Sequence, residues 1–90
     1  MVKIASAGNS DTVCYGALIQ KGYSVSIIVN SSGRTGQYKA EKDQMIFIGD
    51  SPIETLGLVA LYELRGEDWR NTQEEFDAFI ALENEAFGKL

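Results

Sequence analysis

Cys14 is the one thiol in this chain, and the chain contains no histidine that could activate it. A cysteine acts as a nucleophile when a basic neighbour or a helix N-terminus holds it as the thiolate. Cys14 falls near the start of an expected helix, which would supply the second condition. Among its neighbours Val13, Tyr15 and Ala17, a lone cysteine is more often a small buried hydrophobe. A second candidate is Gly8-Asn9-Ser10, whose backbone amides lie ahead of that helix and could hold a phosphate or carboxylate. This loop lacks both the three-glycine dinucleotide pattern and the lysine of a P-loop, so turn plus cap is its ordinary role.

Carboxylates are the other plentiful chemistry. General acid–base work needs two of them in one cleft with different environments. Asp50 beside Ser51, and Glu63 inside an apolar run, are the least ordinary, and both also fit a structural role. The segment Arg65-Gly66-Glu67-Asp68-Trp69-Arg70 joins two expected helices. Trp and Arg are enriched at binding hot spots, which makes Trp69 a candidate interface anchor. The competing role is a Trp that folds back and locks the helix pair.

One cysteine and no histidine exclude an internal disulfide and the usual structural zinc set within one chain. No calcium-loop spacing occurs either. No metal, no cofactor and no catalytic set are therefore expected. Tyr15, Tyr23, Tyr38 and Tyr62 offer hydroxyls for a ligand pocket between sheet and helices.

The elements that must position these residues read as follows. Val2 to Ala7 alternates apolar and polar residues and could form a short strand. Ser10 or Asp11 can cap a helix running to about Lys21, which Gly22 ends. Tyr23 to Val29 alternates with period two and is the clearest strand. Gln37 to Lys42 and Gln44 to Ile48 follow as strands, joined near Asp43 and Gln44 by a tight hairpin, so three of the strands form an antiparallel meander.

Ser51 to Gly66 is the best-delimited segment, with a Ser51 N-cap, Pro52 in the first turn, Glu54 completing a capping box and Gly66 as the stop. At ~100° per residue, Ile53, Leu56, Ala60, Leu61 and Leu64 form one stripe, expected to lie on the sheet. Leu58, Val59 and Tyr62 fall on a second side. A last helix begins at Thr72 with Glu75 as its capping-box partner. Its stripe of Phe76, Phe79, Ile80 and Phe87 is expected in the core.

The expected architecture is α+β in a single domain over residues 1–90. A small antiparallel sheet of three to four strands carries an N-terminal helix and a C-terminal helical hairpin packed on one face. The N-terminal segment lacks the apolar run of a signal peptide, and no stretch reaches the ~20 apolar residues that span a bilayer, so a cytoplasmic protein with no membrane partner is expected.

The net charge of −5 is uneven. Residues 1–49 hold five cations and three acids, whereas residues 50–90 hold three cations and ten acids. Such an acidic half repels phosphate backbones, so no nucleic-acid partner is expected. Its ordinary role is a solvated face that keeps a small protein soluble; it could also suit a basic protein partner, since complementary charge speeds encounter.

Together these features point to a small acidic, non-catalytic protein–protein interaction module, with Leu58, Val59, Tyr62 and Trp69 as candidate contact residues. Two alternatives stand beside it. One is a small-ligand-binding or enzymatic domain using a pocket between sheet and helices. The other is a structural homodimer whose two-sided helix pairs across a twofold axis. In size, acidity and element order the chain resembles the small α+β immunity proteins encoded beside bacterial toxins, which implies neutralisation or regulation of a basic partner. No family motif accompanies that resemblance, so it assigns no residue a role.

Overall fold

A computed structural model of the chain describes residues 1–6, 8–33 and 36–88. Its elements run α1 (Ser10–Gln20), β1 (Ser24–Val29), β2 (Gly36–Lys42), β3 (Met45–Gly49), α2 (Pro52–Arg65) and α3 (Gln73–Phe87). The α+β class is as expected, with a three-stranded antiparallel meander in the order β1-β2-β3 and helices on one of its faces.

Local chemistry sets the boundaries. α1 closes with Gly22 at φ 95, where the Gly22 N–H donates to the Ile19 carbonyl and the Tyr23 N–H to that of Leu18. This pattern satisfies the last carbonyls of a helix and needs a left-handed residue. The Lys42 ammonium adds a bond to the Lys21 carbonyl at 2.9 Å. The hairpin between β2 and β3 turns on Asp43, which takes φ 56; a short polar side chain tolerates this conformation better than most.

α2 starts as its sequence dictates, with the Ser51 hydroxyl accepting from the Glu54 N–H at 3.1 Å. The Glu54 carboxylate reaches past Ser51 and accepts from the Asp50 N–H at 2.9 Å. The capping box expected here is thus displaced by one residue. The box at Thr72 and Glu75 forms as expected in both directions.

The core is small. Leu18 of α1, Tyr23, Ala40 of β2 and Val59 of α2 are its buried members, with Val25, Phe47 and Leu56 packed against them. Tyr23 and Phe47 meet edge to face at 5.9 Å, and Phe47 meets Tyr62 at 5.7 Å. Burial raises the Tyr23 phenol above its ordinary value, and the Glu63 carboxylate adds to the effect.

Four expectations are corrected here. The N-terminal strand does not form in residues 1–6, where Val2 and Ile4 stand in solvent, and Ala7 lies outside the described residues. The cap of α1 is Asn9, and the helix already includes Ser10. α2 presents the other side to the sheet: Val59 is fully buried beside Thr55, whereas Leu64 is 81% exposed. Thr55, Val59 and Tyr62 are spaced i, i+4, i+7 and share a face. A polar residue, Thr55, at the start of that face kept it from reading as an apolar stripe. Finally, the α3 stripe is not core. α3 buries no residue, and Phe76, Phe79, Ile80 and Phe87 are 38–64% exposed.

Candidate functional site

α3 and the groove beside it are the most unusual surface of the protein. The link after α2 turns at Gly66, with φ 70, and carries Trp69. The Arg70 guanidinium stacks over the Trp69 ring at 4.8 Å from its centroid. α3 is then tethered at its N-terminal end. Arg65 at the end of α2 forms a two-pronged ion pair with Glu75, one limb of which measures 3.0 Å. The Thr72 N–H donates to the same carboxylate at 2.8 Å. These hydrogen bonds, the guanidinium's first, hold the Glu75 carboxyl below its ordinary value. The same carboxylate raises the Arg65 guanidinium in turn.

Beyond this tether the helix is bare. Its apolar stripe runs through Phe76, Phe79, Ile80 and Phe87, and ~100° per residue sets Glu83 between Phe79 and Phe76 on the same side. From Gly66 to Gly88 the chain holds seven acids and the single cation Arg70. A carboxylate inside an apolar stripe costs little in water and much beneath a covering surface that offers it no cation. Any surface laid over this stripe would have to offer the Glu83 carboxylate a cation or hydrogen-bond donors.

Trp69 borders two grooves, one of which lies beside the start of α3. One, of about 460 Å³, runs between β3 and α2, with Phe47, Leu58, Tyr62, Trp69 and Arg70 among its lining residues. The other, of about 560 Å³, lies where α2 meets the start of α3 and includes Leu61, Arg65, Trp69, Phe76 and Phe79. Trp69 is common to both and is 41% exposed.

The expected contact residues divide accordingly. Leu58 and Tyr62 are half-buried in the first groove, and Trp69 lies between the two. Val59 belongs to the core and reaches neither groove. Sequence reasoning missed the face of α3 itself; the signal that could have found it was Glu83, a charge in the middle of the stripe.

The remaining candidates fall elsewhere and apart from one another. Gly8, Asn9 and Ser10 form the turn into α1, with no strand in residues 1–6 to make a strand–loop–helix phosphate cradle. Cys14 is half-buried on α1. Glu63 binds the Lys21 ammonium at 2.8 Å, and Asp50 accepts from the Gln37 amide at 3.3 Å, so both carboxylates link elements of the fold. Of the four tyrosines, Tyr62 lines the first groove, Tyr23 is in the core and Tyr15 is exposed on α1. Among the described residues no group of three metal-ligating side chains converges, and no helix is long and apolar enough to cross a membrane.

In comparison with known proteins, the chain matches no family model, no curated protein sequence and no solved structure.

Proposed function

We propose that this protein is a non-catalytic binding module that captures a basic, amphipathic segment of a protein partner on α3 and the adjoining Trp69 grooves. The observation that carries this reading is the exposed stripe Phe76, Phe79, Ile80 and Phe87 with Glu83 inside it. The surrounding acids favour encounter with a positively charged segment. An apolar groove that accepts the apolar face of a helix is one of the recurring ways proteins receive an amphipathic segment. In this reading Trp69, which borders both grooves, is the anchor.

Trp69 is the only tryptophan, so its emission reports on this face alone. The test titrates the protein with a synthetic amphipathic helix of leucine and lysine. A second peptide of leucine and glutamate, with identical apolar spacing, is titrated in parallel. The expected result is a saturable emission change with the lysine peptide, weakened by salt and by about tenfold or more in Phe79→Ser. Equal responses to both peptides, no saturation, or indifference to Phe79→Ser would overturn the proposal.

A further inference from the structure

β1 is an outer strand of the sheet, with β2 on one side and, among the described residues, no strand on the other. Protein edges are ordinarily blunted by lysine, proline, a bulge or a covering segment. β1 reads Ser-Val-Ser-Ile-Ile-Val, without a charge or a proline. Its register with β2 runs unbroken from Ser24 opposite Glu41 to Val29 opposite Gly36, so no bulge twists it away.

The exposed apolar residues of this strand lie on both faces of the sheet. Ile27 and Val29 share the helix-bearing face with Val25, but the core closes over only the Tyr23 end of the strand. Ile28 points to the opposite face. All three are 43–57% exposed. A helix laid on the sheet covers one face and leaves the other. An occupant lying in the plane of the sheet covers both, and that occupant is another strand. β1 is itself uncharged, with Val25, Ile27 and Val29 on one face and Ile28 beside Ser24 and Ser26 on the other, so a second β1 would set Ile28 against a serine and no charge against any of them.

β3, at the other edge, is also uncharged and exposes Ile46 and Ile48 on the face away from the helices, but it is packed on its helix side. The helix-side residue Phe47 of β3 is packed between Tyr23 and Tyr62, and Glu67, Trp69 and Arg70 line a common groove with Met45–Ile48. The α3 face is also unsuited to self-pairing, because a twofold axis would bring its acids together.

We propose that β1 pairs antiparallel with β1 of a second copy of this chain, joining two meanders into one six-stranded sheet. A twofold perpendicular to the sheet keeps both sets of helices on the same side. Placed at Ile27, it sets Ile27 opposite its own counterpart and Val25 opposite Val29, and no like charges meet. The interface is separate from α3, so a dimer presents two copies of the proposed docking face.

The test is sedimentation of the full chain from about 10 µM to about 1 mM, a range suited to a small interface. The expected result is a 9.9 kDa monomer giving way to a species of twice that mass. Ile27→Lys and Ile28→Lys should each weaken association at least about tenfold, while Phe79→Lys leaves it unchanged. A monomer at every concentration would overturn the proposal. So would a dimer indifferent to both β1 variants, or one lost in Phe79→Lys or in Ile46→Lys on β3. Hydrogen exchange on the unsubstituted protein supplies a reading that no variant's folding can confuse. Amides of residues 24–29 should gain protection as concentration rises, and constant protection would count against the pairing.

Discussion

The buried hydroxyl of Thr55 donates to the backbone carbonyl of Tyr38 at 3.0 Å, tying α2 to the middle strand. The same oxygen lies 2.9 Å from the Ser51 carbonyl in the preceding turn of its own helix. Gly49 permits the approach, since a Cβ there would sit 2.7 Å from the Thr55 nitrogen. Thr55→Val preserves the side-chain shape and removes the donor. It should cost about 1–2 kcal/mol in urea denaturation, with Thr55→Ser recovering part of the loss. Gly49→Ala should cost about 1–3 kcal/mol, because the atoms it meets, on Thr55 and Glu54, belong to a packed helix. An unchanged midpoint in both variants would mean that the junction contributes nothing to stability.

The orientation of α2 gives a second expectation. Val59 is fully buried between Leu18 and the sheet, and Leu64 on the opposite side is 81% exposed. Val59→Ala deletes two buried methyl-sized groups and should destabilise by about 2 kcal/mol. Leu64→Ala should stay within about 0.5 kcal/mol of the parent. Thermal or denaturant unfolding compares the two directly, and a larger loss for Leu64→Ala would reverse the assigned faces.

The sequence announced each element whose ends are set by short-range chemistry. The Ser51 and Thr72 caps, the Gly22 stop and the period-two run from Tyr23 to Val29 act over a few residues. Each appears in the structure close to its expected place. What escaped was tertiary. The inward face of α2 is decided by Thr55 hydrogen-bonding a strand and by Gly49 admitting it, neither of which a hydropathy wheel contains. The bare face of α3 escaped for the converse reason. An amphipathic stripe states that a surface wants covering, and the covering surface can belong to another molecule. Of the candidate site, Trp69, Leu58 and Tyr62 were legible as apolar residues beside a charged link. Phe76 and Phe79 were legible as a stripe and misplaced as core.

Acid should loosen the tether at the N-terminal end of α3. Hydrogen bonds from Arg65 and the Thr72 N–H hold the Glu75 carboxyl below its ordinary value of 4.5. A carboxyl depressed in the folded state contributes stability that is fully present above the unfolded value and lost as pH falls through the folded one. The tether should therefore hold above about pH 4.5 and weaken below it. Amide chemical shifts of residues 72–76 followed by NMR should track this transition. Glu75→Gln should release the same amides at neutral pH and flatten their dependence on acid. A transition in those shifts that persists in Glu75→Gln would assign it to another group.

The last expectation concerns how firmly α3 is held when nothing covers it. Isolated helices of about 12–15 residues are marginal in water, and most helices in proteins draw their stability from a buried face. α3 has 15 residues and buries none of them, so its capping box and the Arg65–Glu75 pair must hold it nearly alone. Surface ion pairs contribute about 1 kcal/mol or less. Its amides should therefore exchange through local fraying, while those of α2 around Thr55 and Val59 exchange only near global unfolding. Protection should fall from the Thr72 end toward Phe87, since among the described residues the tethers of α3 are N-terminal. Addition of the leucine–lysine peptide should then raise protection along the whole of α3, because binding adds the buried face that the free helix lacks. Equal protection of α2 and α3 in the free protein would mean that the stripe of Phe76 and Phe79 is already covered in solution.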